Sequence, residues 1–184
     1  MTQTDHIQVL KPNVTKDEAL REFRRGVSDT YWRLRVGPLQ RIADVYVPFW
    51  LYRVQYSMNK TRFKRTFAME AVEGSLDLFE FPAPPEPKDL LELQTKNRPH
   101  AALDETRASE LFREKALRVI FLQGFFKLRD VGLEFQRLSG EIYLPYWLGF
   151  YGSPQSVRCR ALDAVRRRIE GSKASAFFEH WLAA

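Results

Sequence analysis

The chain has 184 residues, 45% of them hydrophobic and 28% charged, an ordinary globular composition that excludes intrinsic disorder and fibrous architectures. A core at this length buries roughly 70% of the surface exposed by the unfolded chain, so neither disulfides nor a structural metal is required. Cys159 is the only cysteine, which excludes an intramolecular disulfide and a cysteine-based zinc site. Lysine plus arginine outnumber aspartate plus glutamate 29 to 23, for a formal charge of +6; this moderately basic balance permits attraction to a polyanion without demanding it. No run approaches the roughly 18 apolar residues of a membrane span, and the first ten residues lack a basic region followed by an apolar one. A soluble, cytoplasmic protein without membrane insertion is expected.

In chain order, an extended stretch at residues 7–10 precedes a helix signal over residues 15–27. Thr15 is a good N-cap, and Glu18 three positions on completes a capping box. Leu20, Phe23 and Val27 form one apolar stripe at helical spacing. A long strand follows, with Tyr46, Pro48, Trp50, Tyr52, Val54 and Tyr56 alternating against Val45, Val47, Phe49 and Leu51, so both faces read as apolar and covered. Turn residues Asn59 and Lys60 lead to a return strand over residues 62–72, as in a hairpin. The proline-rich segment Phe81-Pro-Ala-Pro-Pro-Glu-Pro87 cannot continue a ladder or helix and reads as a spacer. Beyond it come an extended stretch at residues 90–94 and a helix over residues 104–126, with Leu111, Phe112, Leu117, Ile120, Phe121 and Phe125 on a broad face. A second long strand carries Tyr143, Pro145, Trp147 and Tyr151. Gly152-Ser153-Pro154 marks its turn, residues 156–165 the return strand, and residues 173–182 a final helix bearing Phe177, Phe178, Trp181 and Leu182.

The second half echoes the first. Gln40-Arg-Ile-Ala-Asp-Val-Tyr-Val-Pro-Phe-Trp-Leu51 aligns with Gln136-Arg-Leu-Ser-Gly-Glu-Ile-Tyr-Leu-Pro-Tyr-Trp-Leu148 after one inserted residue, Gly140. Gln, Arg, Tyr, Pro, Trp and Leu are identical, and the remaining pairs keep size or charge. Downstream, Ala68-Met-Glu-Ala-Val72 matches Ala161-Leu-Asp-Ala-Val165, and Leu76 then matches Ile169. Repeats of this kind set the fold reading: α+β, two tandem repeats of strand, helix and long β-hairpin related by a pseudo-twofold, with antiparallel sheets packed by helices. The expected division is 1–81 for the first repeat, 82–87 for the linker and 88–184 for the second repeat with its C-terminal helix. Proline inside a strand predicts a bulge or kink at Pro48 and Pro145.

Two sets of residues are candidates for binding. Trp50, Tyr52, Trp147 and Tyr151 stack on a planar or apolar ligand if their rings are exposed; otherwise they are core. Arg62, Lys64 and Arg65 on the first return strand, Arg158 and Arg160 on the second, and Arg166, Arg167 and Arg168 after it suit a phosphate backbone if they form a stripe. The alternative for these cations is a solvated hairpin that protects its edge from wrong pairing. His6, His100 and His180 lack metal-ligand spacing, Cys159 reads as a buried inert thiol, and no phosphate loop, nucleophile elbow or dinucleotide-binding turn is present. The repeated acids Glu70 and Asp163 pair with arginine or, in an enzyme, with each other. The sequence therefore points to a non-enzymatic binding or protein-interaction module without cofactor or metal. Its partner is expected to be a protein or a second copy of the chain, with nucleic acid bound through the basic hairpins as the alternative.

Overall fold

A computed structural model describes residues 6–58, 61–122, 133–153 and 156–184. In order, these form β1 (His6–Leu10), α1 (Lys16–Phe23), α2 (Gly26–Arg35), β2 (Leu39–Met58), β3 (Thr61–Glu70), β4 (Phe79–Phe81), a single 3-10 turn (Pro87–Asp89), β5 (Leu90–Gln94), α3 (Glu105–Leu122), β6 (Leu133–Arg137), β7 (Ile142–Ser153), β8 (Ser156–Asp163), β9 (Arg168–Ile169) and α4 (Ser172–Ala183). The fold is mixed α+β, with four helices and a large sheet among the described residues. The predicted turns at Asn59-Lys60 and Pro154, the helix beyond residue 122 with Phe125, and the Val27 side chain lie outside the described residues.

The chain divides into two compact units, and both draw on both halves of the sequence. One comprises Met1–Val47, Asp89–Pro99 and Tyr143–Ala184; the other comprises Pro48–Lys88 and His100–Ile142.

In the first unit β1 lies antiparallel to β5 from His6↔Gln94 to Leu10↔Leu90 and meets β7 in parallel at Val9↔Tyr143. β7 folds back on β8, which carries β9 on its other edge. The predicted helix over residues 15–27 is two helices here: α1 ends at Phe23, and α2, which the apolar spacing does not reveal, begins at Gly26. The capping box of α1 is formed, with the Thr15 amide donating to Glu18 Oε2 at 2.8 Å and the Glu18 amide to Thr15 Oγ1 at 3.3 Å. α1 buries Ala19 and Phe23 against Val14, Leu162 and Ala164. α4 packs on β8, and its Phe178 meets the ring of Tyr146 on the neighbouring β7 at 5.4 Å.

In the second unit β3 pairs with β2 from Phe49↔Glu70 to Met58↔Thr61, β4 flanks β3, and β6 flanks β2 from Tyr52↔Arg137 to Tyr56↔Leu133. One face of this sheet is apolar, and α3 covers it: Trp50, Tyr52, Val54, Tyr56, Phe67 and Met69 pack on Ala108, Phe112, Ala116 and Ile120. Asp104 caps α3 by accepting from the Arg107 amide at 2.9 Å.

The two hairpins match in detail. Leu51↔Ala68, Trp50↔Met69 and Phe49↔Glu70 in one correspond to Leu148↔Ala161, Trp147↔Leu162 and Tyr146↔Asp163 in the other. Pairing is one-to-one from the residue after each proline, and the proline carbonyl accepts from the far side of the turn: Ala71 N to Pro48 O at 2.9 Å, Ala164 N to Pro145 O at 3.1 Å. The next carbonyl in each turn binds the segment leading into a helix, Ala71 O receiving Ala102 N and Leu103 N, and Ala164 O receiving Asn13 N. Four residues past each acid the backbone turns left-handed, at Gly74 (φ 69°) and Arg167 (φ 58°). Glycine adopts this conformation freely, whereas a residue with a Cβ is disfavoured there by about 1 kcal/mol.

Candidate functional site: the cationic face of the second unit

Strand geometry sorts the side chains of β2 and β3. Trp50, Tyr52, Val54 and Tyr56 point to α3; the intervening Arg53, Gln55 and Ser57 point to the opposite face, opposite Thr66, Lys64 and Arg62 of β3 and beside Gln136 and Glu134 of β6. Both faces of the long strand were expected to be apolar. Past Leu51 that fails, because the strand carries Arg53 and Gln55 where a doubly covered strand carries apolar residues. Gln55, Ser57, Arg62, Lys64, Glu134 and Gln136 are all exposed, and Arg53 is half-buried. Gln55, Ser57, Arg62 and Glu134 line a shallow cavity of about 150 Å³ at the open end.

Arg53, Arg62 and Lys64 have no ion pair or side-chain hydrogen bond among the described residues. Arg53 Nε is buried with no hydrogen-bond partner among the described residues, an arrangement that costs free energy. Arg65 points to the other face, where its guanidinium lies over Phe67 and pairs with Glu80 at 2.5 Å.

The basic residues of the first unit are placed differently. Arg158 pairs with Glu179 at 3.0 Å, Arg166 with Asp163 at 2.6 Å and Glu170 at 3.2 Å, Arg167 with Glu18 at 2.9 Å, and Arg168 with Glu170 at 3.0 Å. Burial opposes the Arg166 charge, but Asp163, Tyr146 and Glu170 together outweigh it and hold its pKa above the usual value. Arg160 is only 6% exposed, lies over the Tyr151 ring and donates to its hydroxyl at 3.3 Å.

The aromatic candidates are packed. Trp50 is 7% exposed beneath the Arg137 guanidinium, 3.8 Å from its ring, and Tyr52 is 1% exposed, stacked on Phe112 at 3.9 Å. Tyr151 is fully buried with its hydroxyl on the Phe23 carbonyl, and half-buried Trp147 donates Nε1 to the Val14 carbonyl at 3.0 Å. Three of these four rings offer no open face for stacking.

Glu70 and Asp163 are both fully buried and serve their own turns. Glu70 accepts from the amides of Val72, Glu73 (2.8 Å) and Ser75 (2.9 Å); Asp163 accepts from those of Val165 and Arg166, each at 2.8 Å. Burial raises the Glu70 carboxyl above the ordinary carboxylate range, although the amides of Glu73, Val72 and Ser75 pull it down. Among the described residues no group of three histidine, cysteine or acidic side chains is placed to hold a metal, and no helix is long and apolar enough to cross a membrane.

The class defined by these observations is a mixed α+β protein with an open cationic sheet face. No known family model, curated protein or solved structure matches the chain.

Proposed function

We propose that the chain is a non-enzymatic binding module built from an internal duplication, and that the cationic sheet face of its second unit binds a nucleic-acid backbone. The duplication is supported by the paired registers, the two proline carbonyl bonds and the two acid-capped turns, features that hydrophobic patterning alone does not dictate. It is an exchanged duplication: α1, from the first copy, packs on the β7–β8 hairpin of the second, and α3, from the second copy, packs on the β2–β3 hairpin of the first. The function rests on one observation, that Arg62, Lys64 and Arg53 share a face and have no ion pair among the described residues. Among the described residues no aromatic ring is exposed on that face, so the reading is of phosphates and not of bases.

The test is fluorescence anisotropy with a labelled single-stranded RNA of mixed sequence at several salt concentrations. Three phosphates neutralised on a single strand give a log–log salt slope of about −2, and Arg62→Ala with Lys64→Ala removes about 1.4 of it. Binding that is absent, indifferent to salt or unchanged in the double variant rejects the proposal.

A further inference from the structure

A second basic feature lies in the first unit, on residues that the sheet face does not use. Val14 and Leu20 floor a concavity of about 660 Å³ whose walls carry Arg21, Arg24, Arg25 and Arg167 together with Glu18 and Glu22. The volume is that of a small-molecule site.

The corresponding place in the second unit is closed. Gly74 stands four residues after the buried acid, as Arg167 does, and a Cβ on Gly74 would come within 2.9 Å of Leu111 Cδ1 and 3.4 Å of Leu103 Cδ2. Leu103 and Leu111 fall one residue before and seven residues after the helix cap Asp104; at the same offsets from Thr15 the first unit has Val14 and Glu22. Apolar side chains therefore fill the space over a glycine in one unit. In the other, Val14 keeps one of these places apolar, Glu22 puts a charge at the second, and Arg167 holds the left-handed position despite its steric cost.

The charges there are not balanced. Glu18 holds Arg167 at 2.9 Å and Glu22 holds Arg25 at 3.3 Å. Arg21 and Arg24 make no ion pair and no guanidinium hydrogen bond among the described residues. Four arginines against two glutamates leave an excess of two positive charges around the concavity, which matches a dianion, and the planar fork suits phosphate oxygens.

We propose that this concavity binds a small phosphate-bearing molecule, with Arg21, Arg24 and Arg167 as its anion ligands. The proposal is independent of the nucleic-acid reading and survives its failure. Calorimetric titration with inorganic pyrophosphate tests it. The wild-type protein is expected to bind one equivalent saturably. Arg167→Gly is expected to keep or raise the melting temperature, because glycine accepts the left-handed backbone, while weakening pyrophosphate at least tenfold. Arg21→Ala with Arg24→Ala is expected to weaken it similarly, and Arg62→Ala with Lys64→Ala to leave it unchanged. No saturable binding, or binding that persists in both the Arg167→Gly and Arg21/Arg24 variants, overturns the proposal. So does loss of binding in the Arg62/Lys64 variant, which would place the anion on the sheet face.

Discussion

The β2–β3 and β7–β8 hairpins share a register and a turn, yet they accommodate a helix in different ways. On the first, Phe112 of α3 stacks on Tyr52 and leans on Phe67 and Phe135. On the second, Phe23 of α1 packs where a side chain is missing: Gly149 stands at the position of Tyr52 in the alignment, and a Cβ there would come within 3.1 Å of the Phe23 ring. Equivalent phenylalanines thus sit over a ring in one unit and over bare backbone in the other. A shared backbone geometry fixes where a helix docks, and the residue beneath it sets how closely it approaches.

Truncation at the centre should separate the two arrangements most strongly. Phe112→Ala is expected to cost about 3–5 kcal/mol in urea unfolding, and more than Phe23→Ala by about 0.5–1.5 kcal/mol because only Phe112 loses a stacked partner; equal costs would show that the stack contributes nothing. Next comes Gly149→Ala, expected to cost about 1–3 kcal/mol because the Phe23 ring and Leu39 must move from the new methyl. A neutral or stabilising result would mean that α1 docks more loosely than its contacts imply.

The buried acids give a smaller, pH-dependent contrast. Because the folded-state pKa of Glu70 is raised, the folded state holds its proton more tightly than the unfolded one. Its contribution is present below the ordinary carboxylate pKa and is lost as the pH climbs through the raised value. Glu70→Gln should flatten that decline in urea midpoints measured from pH 4 upward, and an unaltered slope would contradict it. Glu18, held low by the Thr15 amide and hydroxyl, acts in the opposite sense, its contribution fading as the pH falls. The smallest signal is chemical. Burial, with Glu179 adding to it, pushes the Cys159 thiol up to about 12, so iodoacetamide at pH 8 should label it only after denaturation; rapid labelling of the native protein would show that α4 opens from β8.

The strands at residues 7–10 and 90–94, both hairpins and the cap at Thr15 were legible in the sequence because each is written in local spacing. The docking of α1 on the β7–β8 hairpin and of α3 on the β2–β3 hairpin was not. Which hairpin a helix covers is a long-range choice, and Phe23 and Phe112 look alike from their own neighbourhoods. The division between α1 and α2 was missed because residues 26–35 lack a clear apolar stripe. The cationic sheet face was half-legible: Arg62 and Lys64 were singled out, but Arg53, hidden among aromatic residues, reveals itself only when Tyr52 and Val54 are assigned to one side. The basic concavity had a signal as well, since extending the match of residues 68–72 with 161–165 sets Gly74 against Arg167. That exchange of types at a left-handed position becomes meaningful once the backbone is known.

The interleaving of the two compact units sets an order on how the chain matures during synthesis. Everything in the unit spanning Pro48–Lys88 and His100–Ile142 has been translated before the ribosome reaches Tyr143, so that body is free to close early. The amino-terminal strand finds β5 once residues 90–94 are made, but α1, although made earlier, must wait for Leu162 and Ala164 in the last 42 residues, 143–184, before it finds the surface it covers, leaving Phe23 and Val14 in need of shelter through most of elongation.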